Sequence, residues 1–327
     1  QELNEAGKPD AVTGRTLLFV HGRDFKPAPD AFMELSMEAL RVGVERDYPD
    51  FADEFAALDK RIAYYGDITD NFLSSQGLRY DEALDIGDRR NALIKLRTFE
   101  RRKQFGVARY DRLPGKNAIP EFAADVFAPL LARLGLSRSL INKVGIDLAE
   151  YWNRDSDFGE RIRERVRSAL CLALEYSDQI MLISHGTGCI VTYDVLWQLS
   201  HEPEFADRIR GRKIESWMTI GAPLGDSMVK KRLKGAKRKG LERFPSNVVS
   251  WHNLSAEDDF VSHDNTLGDD FRKMLRQREV SSIRDYRIYN LPIRYGKSNP
   301  HSSLGYLVHP RMSQIIVEWL QQPAIQG

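Results

Sequence analysis

The sequence contains few cysteines, no extended apolar segment and almost balanced numbers of positive and negative side chains. The two cysteines among 327 residues, Cys171 and Cys189, are too few for a disulfide framework and favour a reducing compartment. No apolar segment approaches the roughly 18 residues that a membrane-spanning helix requires. Lys and Arg number 48 and Asp and Glu number 47, so the whole chain carries no strong field of one sign. No nucleic-acid partner is expected either, because no series of aromatic residues is interleaved with the basic residues of the segment 230–240.

Several functional motifs are also absent from the sequence. Neither a Gly-x-Gly-x-x-Gly segment nor a Walker loop is present, so no nucleotide is predicted. The seven histidines do not show metal-binding spacings such as His-Glu-x-x-His, and we expect neither a metal nor any other cofactor. The first ten residues are polar and acidic, unlike a signal peptide, and we therefore expect a cytoplasmic protein.

Short apolar runs alternate with longer amphipathic segments along most of the chain. Strands separated by helices of this length are typical of an α/β fold with a mostly parallel sheet and helices on both faces. Residues 70–155 interrupt the alternation with an arginine-rich, mostly helical segment. We predict a single domain over residues 1–327 in which residues 70–155 form an inserted helical cap. The patterns predict strands at residues 16–20, 62–65, 179–183, 214–220, 247–254 and 287–291, and helices at 30–46, 158–176, 188–199 and 310–320, the first of them capped by Asp30.

Residues of types that commonly take part in catalysis follow several of these strands. His21-Gly22-Arg23 follows the first strand, and Ser184-His185-Gly186-Thr187-Gly188 follows the third. Asp258-Asp259 follows the fifth strand and His301 lies after the sixth. Because the carboxyl ends of parallel strands meet at one edge of a sheet, these loops are expected to lie close together and to form the binding site.

The four segments, in this order, resemble the α/β-hydrolase superfamily of serine esterases and lipases. That family has an oxyanion loop after an early strand, a strand–turn–helix elbow with its nucleophile, then an acid and a late histidine. The resemblance implies His301 as the general base and Asp259 as the carboxylate that orients it. It also implies a carboxylic-ester or lipid-ester substrate, and an oxyanion hole made by Thr187 with Gly22 and Arg23.

The elbow departs from the family pattern at the nucleophile. When Gly188 is aligned with the last glycine of the elbow, the nucleophile position is Gly186, which has no side chain. The chain is therefore expected to be inactive or impaired by the covalent route. Three interpretations stay open: a hydrolase whose nucleophile has been replaced, a non-catalytic protein that binds a lipid or protein partner, and an enzyme that uses His301 and Asp259 without a serine.

Other residues near these loops are candidates for contacts with a substrate. They are His21, His185, Tyr65 and the neighbour of the predicted acid, Asp258. Ser184, Thr187 and Cys189 are weaker candidates for a substitute nucleophile, because none of them stands at the turn itself.

A strongly basic segment follows the fourth strand. Seven of the eleven residues from Lys230 to Gly240 are Lys or Arg. Such runs are commonly solvated surface, but this one is predicted at the edge that carries the site. We expect Lys230–Lys239 to attract an anionic substrate or an anionic membrane surface.

Overall fold

The protein folds around one parallel β-sheet flanked by helices, which confirms the predicted α/β class. The computed structural model describes residues 14–100, 102–115, 138–262 and 266–323, without the side chains of 138–144. Six parallel strands pair in the order β2-β1-β3-β4-β5-β6, and β7 and β8 form a small antiparallel pair. The strands are β1 (Arg15–Val20), β2 (Asp59–Ala63), β3 (Gln179–His185), β4 (Ile214–Ile220), β5 (Val248–Ala256), β6 (Ser282–Ile288), β7 (Ile293–Arg294) and β8 (Lys297–Ser298).

Helices connect the strands and cover both faces of the sheet. The first group is α1 (Pro29–Asp47), α2 (Ala52–Ala57), α3 (Gly66–Ser75), α4 (Glu82–Arg97), α5 (Val107–Tyr110) and α6 (Arg138–Tyr151). The second group is α7 (Phe158–Tyr176), α8 (Gly188–His201), α9 (Pro203–Ile209), α10 (Ser227–Lys230), α11 (Leu267–Asp270), α12 (Arg272–Arg276), α13 (Ser303–Leu307) and α14 (Pro310–Leu320). Within the described ranges, no helix is both long and apolar enough to cross a membrane.

The central strands are buried on both faces, which explains their continuous apolar sequences. Leu18 and Val20 of β1 pack in one core with residues of α3, α7 and α8. Leu17 and Phe19, which point to the opposite face, pack in a second core with residues of α1, α4, α13 and α14. The alternation of a β-strand therefore distributes one apolar run between two helical layers.

The order of the strands reverses at β1. One neighbour of β1 is β2 and the other is β3. The connection from β1 to β2 therefore runs towards one edge of the sheet, and the later strands are added on the other side of β1. In open parallel sheets, ligands bind outside the carboxyl ends of the strands where the order reverses. The loops after β1 and β3 flank this point.

The element boundaries agree closely with the sequence patterns in the core and differ at the margins. The predicted helices 158–176 and 310–320 and the strand 214–220 have the predicted limits. Three predictions are wrong in detail. The second strand is Asp59–Ala63 and not 62–65, because β2 is an edge strand whose first four residues are only half buried and carry no apolar run. The sixth strand is Ser282–Ile288 and not 287–291, because its edge position leaves it half exposed and its sequence has no apolar run. Helix α1 begins at Pro29 after Ala28, so Asp30 lies in its first turn and does not cap it.

The predicted cap contributes helices to both layers of the protein. Helix α4 contacts α1 and β7, whereas α6 contacts α3 and α7. Residue 101 and residues 116–137, also part of the predicted cap, lie outside the described residues. The single domain with an inserted cap stays a prediction.

We expect Gly188→Ala to destabilise the protein, because the loop after β1 approaches the start of α8 very closely. A Cβ atom at Gly188 would lie 2.1 Å from the carbonyl oxygen of His21. Overpacking of this kind lowers the free energy of unfolding by about 1–3 kcal/mol, which urea denaturation will measure.

Gly87→Ala in α4 is the matched control, because a Cβ there would meet no described atom within 4 Å. Alanine is expected to raise the free energy of unfolding by about 0.5–1 kcal/mol at this helical position. Equal stability changes in the two variants would contradict the close approach at Gly188.

Candidate active site

The elbow between β3 and α8 brings Gly186 against His301. Gly186 has a φ of 55° in the left-handed region, which favours glycine and is strained for other residues. A Cβ atom at Gly186 would lie 2.9 Å from His301 Nε2 and 3.2 Å from His301 Cε1. The imidazole therefore faces the turn where a nucleophile is expected, and the residue at that turn has no side chain.

His301 is oriented by the carboxylate of Asp259. Its Nδ1 lies 3.0 Å from Asp259 Oδ1 and 2.9 Å from Oδ2. The Asp259 side chain is fully buried, whereas that of His301 is 25% exposed. Because the carboxylate accepts from Nδ1, the neutral imidazole carries its lone pair on Nε2 and can take a proton on the side of Gly186.

Tyr306 is a member of this cluster that the sequence analysis missed. Its hydroxyl donates to Asp259 Oδ2 at 2.6 Å and accepts from the backbone N–H of Ala256 at 2.8 Å. Burial raises the pKa of Tyr306 well above its ordinary value, so the phenol stays protonated and remains a donor. No motif links a tyrosine in α13 to the acid after β5, and only the fold brings them together.

Two further glycines allow close packing around Asp259, His301 and His185. Gly221, which follows β4 with a φ of 58°, would place a Cβ 2.8 Å from Asp259 Oδ2 and 3.0 Å from His301 Nδ1. Gly22 would place one 2.9 Å from the carbonyl oxygen of His185. Side chains at either position would push the acid–histidine pair or the loop after β1 away from the elbow.

Two residues of the predicted oxyanion hole lie close to the elbow. Thr187 follows the elbow directly, and Gly22 Cα lies 4.0 Å from the Cβ position of Gly186. Among the described residues, no acceptor takes the backbone N–H of Thr187, Gly22 or Arg23. The Arg23 guanidinium lies 2.9 Å from Asp24 and 4.0 Å from Asp147 of α6, so the group that Arg23 would contribute to such a hole is its backbone N–H.

His185 packs against His301, and Asp258 directly precedes Asp259 in the chain. The His185 ring centroid lies 4.5 Å from that of His301, and its Nε2 donates to the His301 carbonyl oxygen at 2.9 Å. Burial, together with the neighbouring His301, holds the pKa of His185 well below its ordinary value. Asp258 has a φ of 58° and accepts from the Tyr110 hydroxyl at 2.6 Å, which separates its role from that of Asp259.

His21 and Tyr65 support the loop after β1 from below. Their rings stack with centroids 4.0 Å apart, and His21 Nε2 accepts from the Tyr65 N–H at 3.0 Å. Burial lowers the pKa of His21 to about 3, so the ring is neutral. Neither residue lines the cavity beside His301, although both were proposed to contact a substrate.

The weaker nucleophile candidates are engaged elsewhere. The Ser184 hydroxyl is fully buried and accepts from Trp217 Nε1 at 2.9 Å. The Cys189 thiol is fully buried and donates to the Ser184 carbonyl oxygen at 3.1 Å. Burial raises the pKa of Cys189 to about 12, so it is not a thiolate. Thr187 lies at the start of α8, beyond the turn.

A small cavity of about 120 Å³ opens beside His301. Its walls come from the loops after β1 and β3, from α4 of the predicted cap and from the segment before α13. The charged residues that line it are Arg23, Asp24, Lys26, Asp85, Asp88, Arg89 and Arg294. The site immediately beside the imidazole is therefore polar.

Most of these charges are compensated within the cavity wall. Asp85 accepts from Tyr80 at 2.9 Å, Arg89 at 3.1 Å and Arg294 at 3.2 Å. Lys26 Nζ donates to backbone carbonyl oxygens of its own loop, including that of Asp24 at 3.1 Å. Burial lowers the pKa of Lys26 to about 8. These contacts attach α4 to β7 and pair or hydrogen-bond the charged groups of the cavity wall.

A larger groove of about 740 Å³ continues from this cavity. The two share Asp88, Ala92, Pro292 and Ile293. The groove runs between α4 and the segment before β7, and its apolar side chains include Leu96, Phe99, Leu113 and Leu291. An elongated molecule can therefore place one end at His301 and an apolar portion in the groove.

The basic segment Lys230–Lys239 lies elsewhere than expected. None of its residues lines the cavity beside His301. Lys234 instead contacts α8, where its N–H donates to Asp194 at 2.8 Å, and its ammonium lies 3.4 Å from Glu202. The connection from β4 to β5 must return to the amino end of the sheet, and this carries the segment along α8 away from the elbow.

A comparison of the chain with family models, curated proteins and solved structures finds no match. In the part of the chain that the structure describes, no cluster of three His, Cys, Asp or Glu side chains has the geometry to hold a metal ion.

We expect Tyr306→Phe to lower the free energy of unfolding by about 1–3 kcal/mol, because it removes a donor from a buried carboxylate and an acceptor from a buried N–H. Urea denaturation will measure the change. Tyr295→Phe is the control, since Tyr295 is 56% exposed and exposed substitutions change stability by less than about 0.5 kcal/mol. A Tyr306→Phe protein as stable as the control would contradict the hydrogen bonds assigned to the phenol.

Proposed function

We propose that the protein is a carboxylic-ester hydrolase of the α/β-hydrolase type, impaired because Gly186 stands where the nucleophile would be. The observation that carries the proposal is the position of His301, with Nδ1 2.9 Å from Asp259 Oδ2 and Nε2 2.9 Å from the Cβ position of Gly186. A general base oriented in this way matches the Ser-His-Asp arrangement with the serine side chain removed.

The backbone around the elbow also supports this proposal. The left-handed turn at Gly186 between a strand and a helix is the geometry of a nucleophile elbow. Thr187 and Gly22 lie beside this turn on two different elements, and their backbone N–H groups have no acceptor among the described residues, as an oxyanion hole requires. The chain order of elbow, acid and histidine is also that of the α/β-hydrolases.

The side chains that are present support a slow hydrolysis through water. Glycine leaves room beside His301 Nε2 for a water molecule, which can attack the ester carbonyl carbon as Nε2 takes its proton. The N–H of Thr187 and those of the loop after β1 stabilise the oxyanion that forms. The tetrahedral intermediate then expels the alkoxide, which takes the proton back from His301, and the products are an acid and an alcohol.

Asp259 has two functions in this scheme. It holds the imidazole in the tautomer with a free Nε2, and it stabilises the imidazolium that forms during proton transfer. The donated hydrogen bond from Tyr306 keeps the buried carboxylate in place.

The cavity and its groove support esters with an apolar chain. The polar cavity of about 120 Å³ can take the reacting group, whereas a chain reaches the apolar side chains of the groove through the junction at Ala92. The proposed substrates are therefore carboxylic esters, lipid esters among them, with the apolar chain bound between α4 and Leu291.

Gly186→Ser is expected to create a working serine hydrolase. The new Cβ is close to Nε2, so His301 must move by a few tenths of an ångström to accept the hydroxyl. We expect labelling by a fluorophosphonate and a rise of at least about 100-fold in kcat/KM for p-nitrophenyl acetate, since loss of a nucleophile normally costs more than this.

Gly186→Ala is the matched control, because it adds the same Cβ at the same φ without a hydroxyl. It should remain unlabelled and no more active than the original chain, as should Gly186→Ser combined with His301→Ala. If Gly186→Ser folds but is neither labelled nor active, the hydrolase proposal is wrong, and a binding protein becomes the better interpretation.

Ala92→Phe in the Gly186→Ser protein will test the groove, because Ala92 lines its junction with the cavity. We expect kcat/KM for p-nitrophenyl octanoate to fall by roughly tenfold or more, consistent with a lost apolar contact surface, and that for the acetate to change little. Ile94→Phe on the same helix is the control, since Ile94 is 59% exposed. An equal effect of Ala92→Phe on both esters would show that the acyl chain of the substrate does not bind in this groove.

A further inference from the structure

A second groove, far richer in positive charge, lies beside α8. It has a volume of about 530 Å³ and is lined by Trp152, Arg154 and Lys231–Arg238. Six of these residues are cations, namely Arg154, Lys231, Arg232, Lys234, Lys237 and Arg238, and none is an Asp or Glu. We call this surface the basic groove.

Few of the cations in the basic groove are neutralised. Lys234 lies 3.4 Å from Glu202, and Arg238 lies 3.9 Å from Glu242 in an exposed pair. For Arg154, Lys231, Arg232 and Lys237, no carboxylate among the described residues lies within ion-pair distance. Like charges held together without partners repel each other, and an anionic partner would relieve this repulsion.

Another groove of the protein combines basic residues with acidic ones. That groove contains Arg41, Arg90 and Arg97, but it also contains Glu34 and Glu38. Arg41 lies 2.6 Å from Glu38, and Arg97 contacts the same carboxylate. The lack of acidic residues in the basic groove is therefore a local property and not a consequence of the general composition.

Apolar side chains accompany the cations of the basic groove. The Arg232 guanidinium lies 5.3 Å above the Trp152 ring, which keeps one aromatic side chain at the groove. Leu241 follows Lys239 in a short 3-10 helix (Gly240–Arg243) and is 63% exposed. An exposed leucine next to clustered Lys and Arg is typical of surfaces that contact the head groups and upper acyl region of a membrane.

We propose that the basic groove and Leu241 bind the anionic head groups of a phospholipid membrane. Lys231, Lys237 and Arg238 contact the phosphates and carboxylates of the head groups, and Leu241 enters the interface beside them. The groove shares no lining residue with the cavity at His301, so membrane binding does not depend on the proposed hydrolysis. Recruitment of the protein to an anionic membrane would bring the cavity at His301 close to lipid esters.

Co-sedimentation of the full chain with vesicles will test this proposal at roughly 0.15 M salt, where long-range effects are screened. We expect binding to phosphatidylcholine vesicles that contain phosphatidylserine and none to phosphatidylcholine alone. The variant K231A/K237A/R238A should bind on the order of 100-fold more weakly, because each basic residue near an anionic surface contributes about a factor of five. Leu241→Ser should weaken binding without changing its salt dependence.

The variant R41A/R90A/R97A is the matched control, because it removes the same number of positive charges from the groove that contains Glu34 and Glu38. It should bind the anionic vesicles like the original chain, and thermal unfolding will show that both triple variants are folded. Equal loss of binding in the two would indicate non-specific attraction and overturn the proposal. So would binding that ignores phosphatidylserine, or thermal stabilisation by inorganic pyrophosphate without vesicle binding, which would indicate a site for soluble phosphates.

Discussion

The buried carboxylate of Asp259 is the group around which the candidate active site is built. A carboxylate without solvent is costly unless hydrogen-bond donors compensate it. The donors here are the Tyr306 hydroxyl, His301 Nδ1 and the N–H of Val261, which lies 3.0 Å from Oδ1. These hydrogen bonds join the loop after β5 to α13 and the segment before it. The need of the buried Asp259 carboxylate for donors therefore fixes the position of His301, which faces the elbow.

The absence of side chains matters as much at this site as their presence. Gly186, Gly221 and Gly22 each lie where a Cβ would be within about 3 Å of the acid–histidine pair or of His185. The glycines at 22 and 221 allow loops from neighbouring strands to approach each other. Gly186 serves the same geometry, and it leaves the turn opposite His301 Nε2 without a side chain.

The two polar surfaces of the protein differ in how their charges are compensated. Beside His301, cations and carboxylates alternate, and Asp85 alone accepts from Tyr80, Arg89 and Arg294. In the basic groove the carboxylates are missing. The first arrangement is a polar wall whose charges are largely compensated, whereas the second leaves a net positive field, which attracts anions.

Much of the fold could be predicted from the sequence, because a strand buried on both faces needs a continuous apolar run and an amphipathic helix needs apolar residues at a period of 3.6. These local rules located the core strands, and the order of the loops placed Gly186, Asp259 and His301 at one edge. They failed at the exposed strand β6, whose residues carry no such pattern. Only the tertiary structure decided that Tyr306 donates to Asp259, that His21 and Tyr65 are buried together, and that Lys230–Lys239 lies along α8 away from His301. Those contacts join segments far apart in the chain, and the path of a long connection depends on packing that no local period encodes.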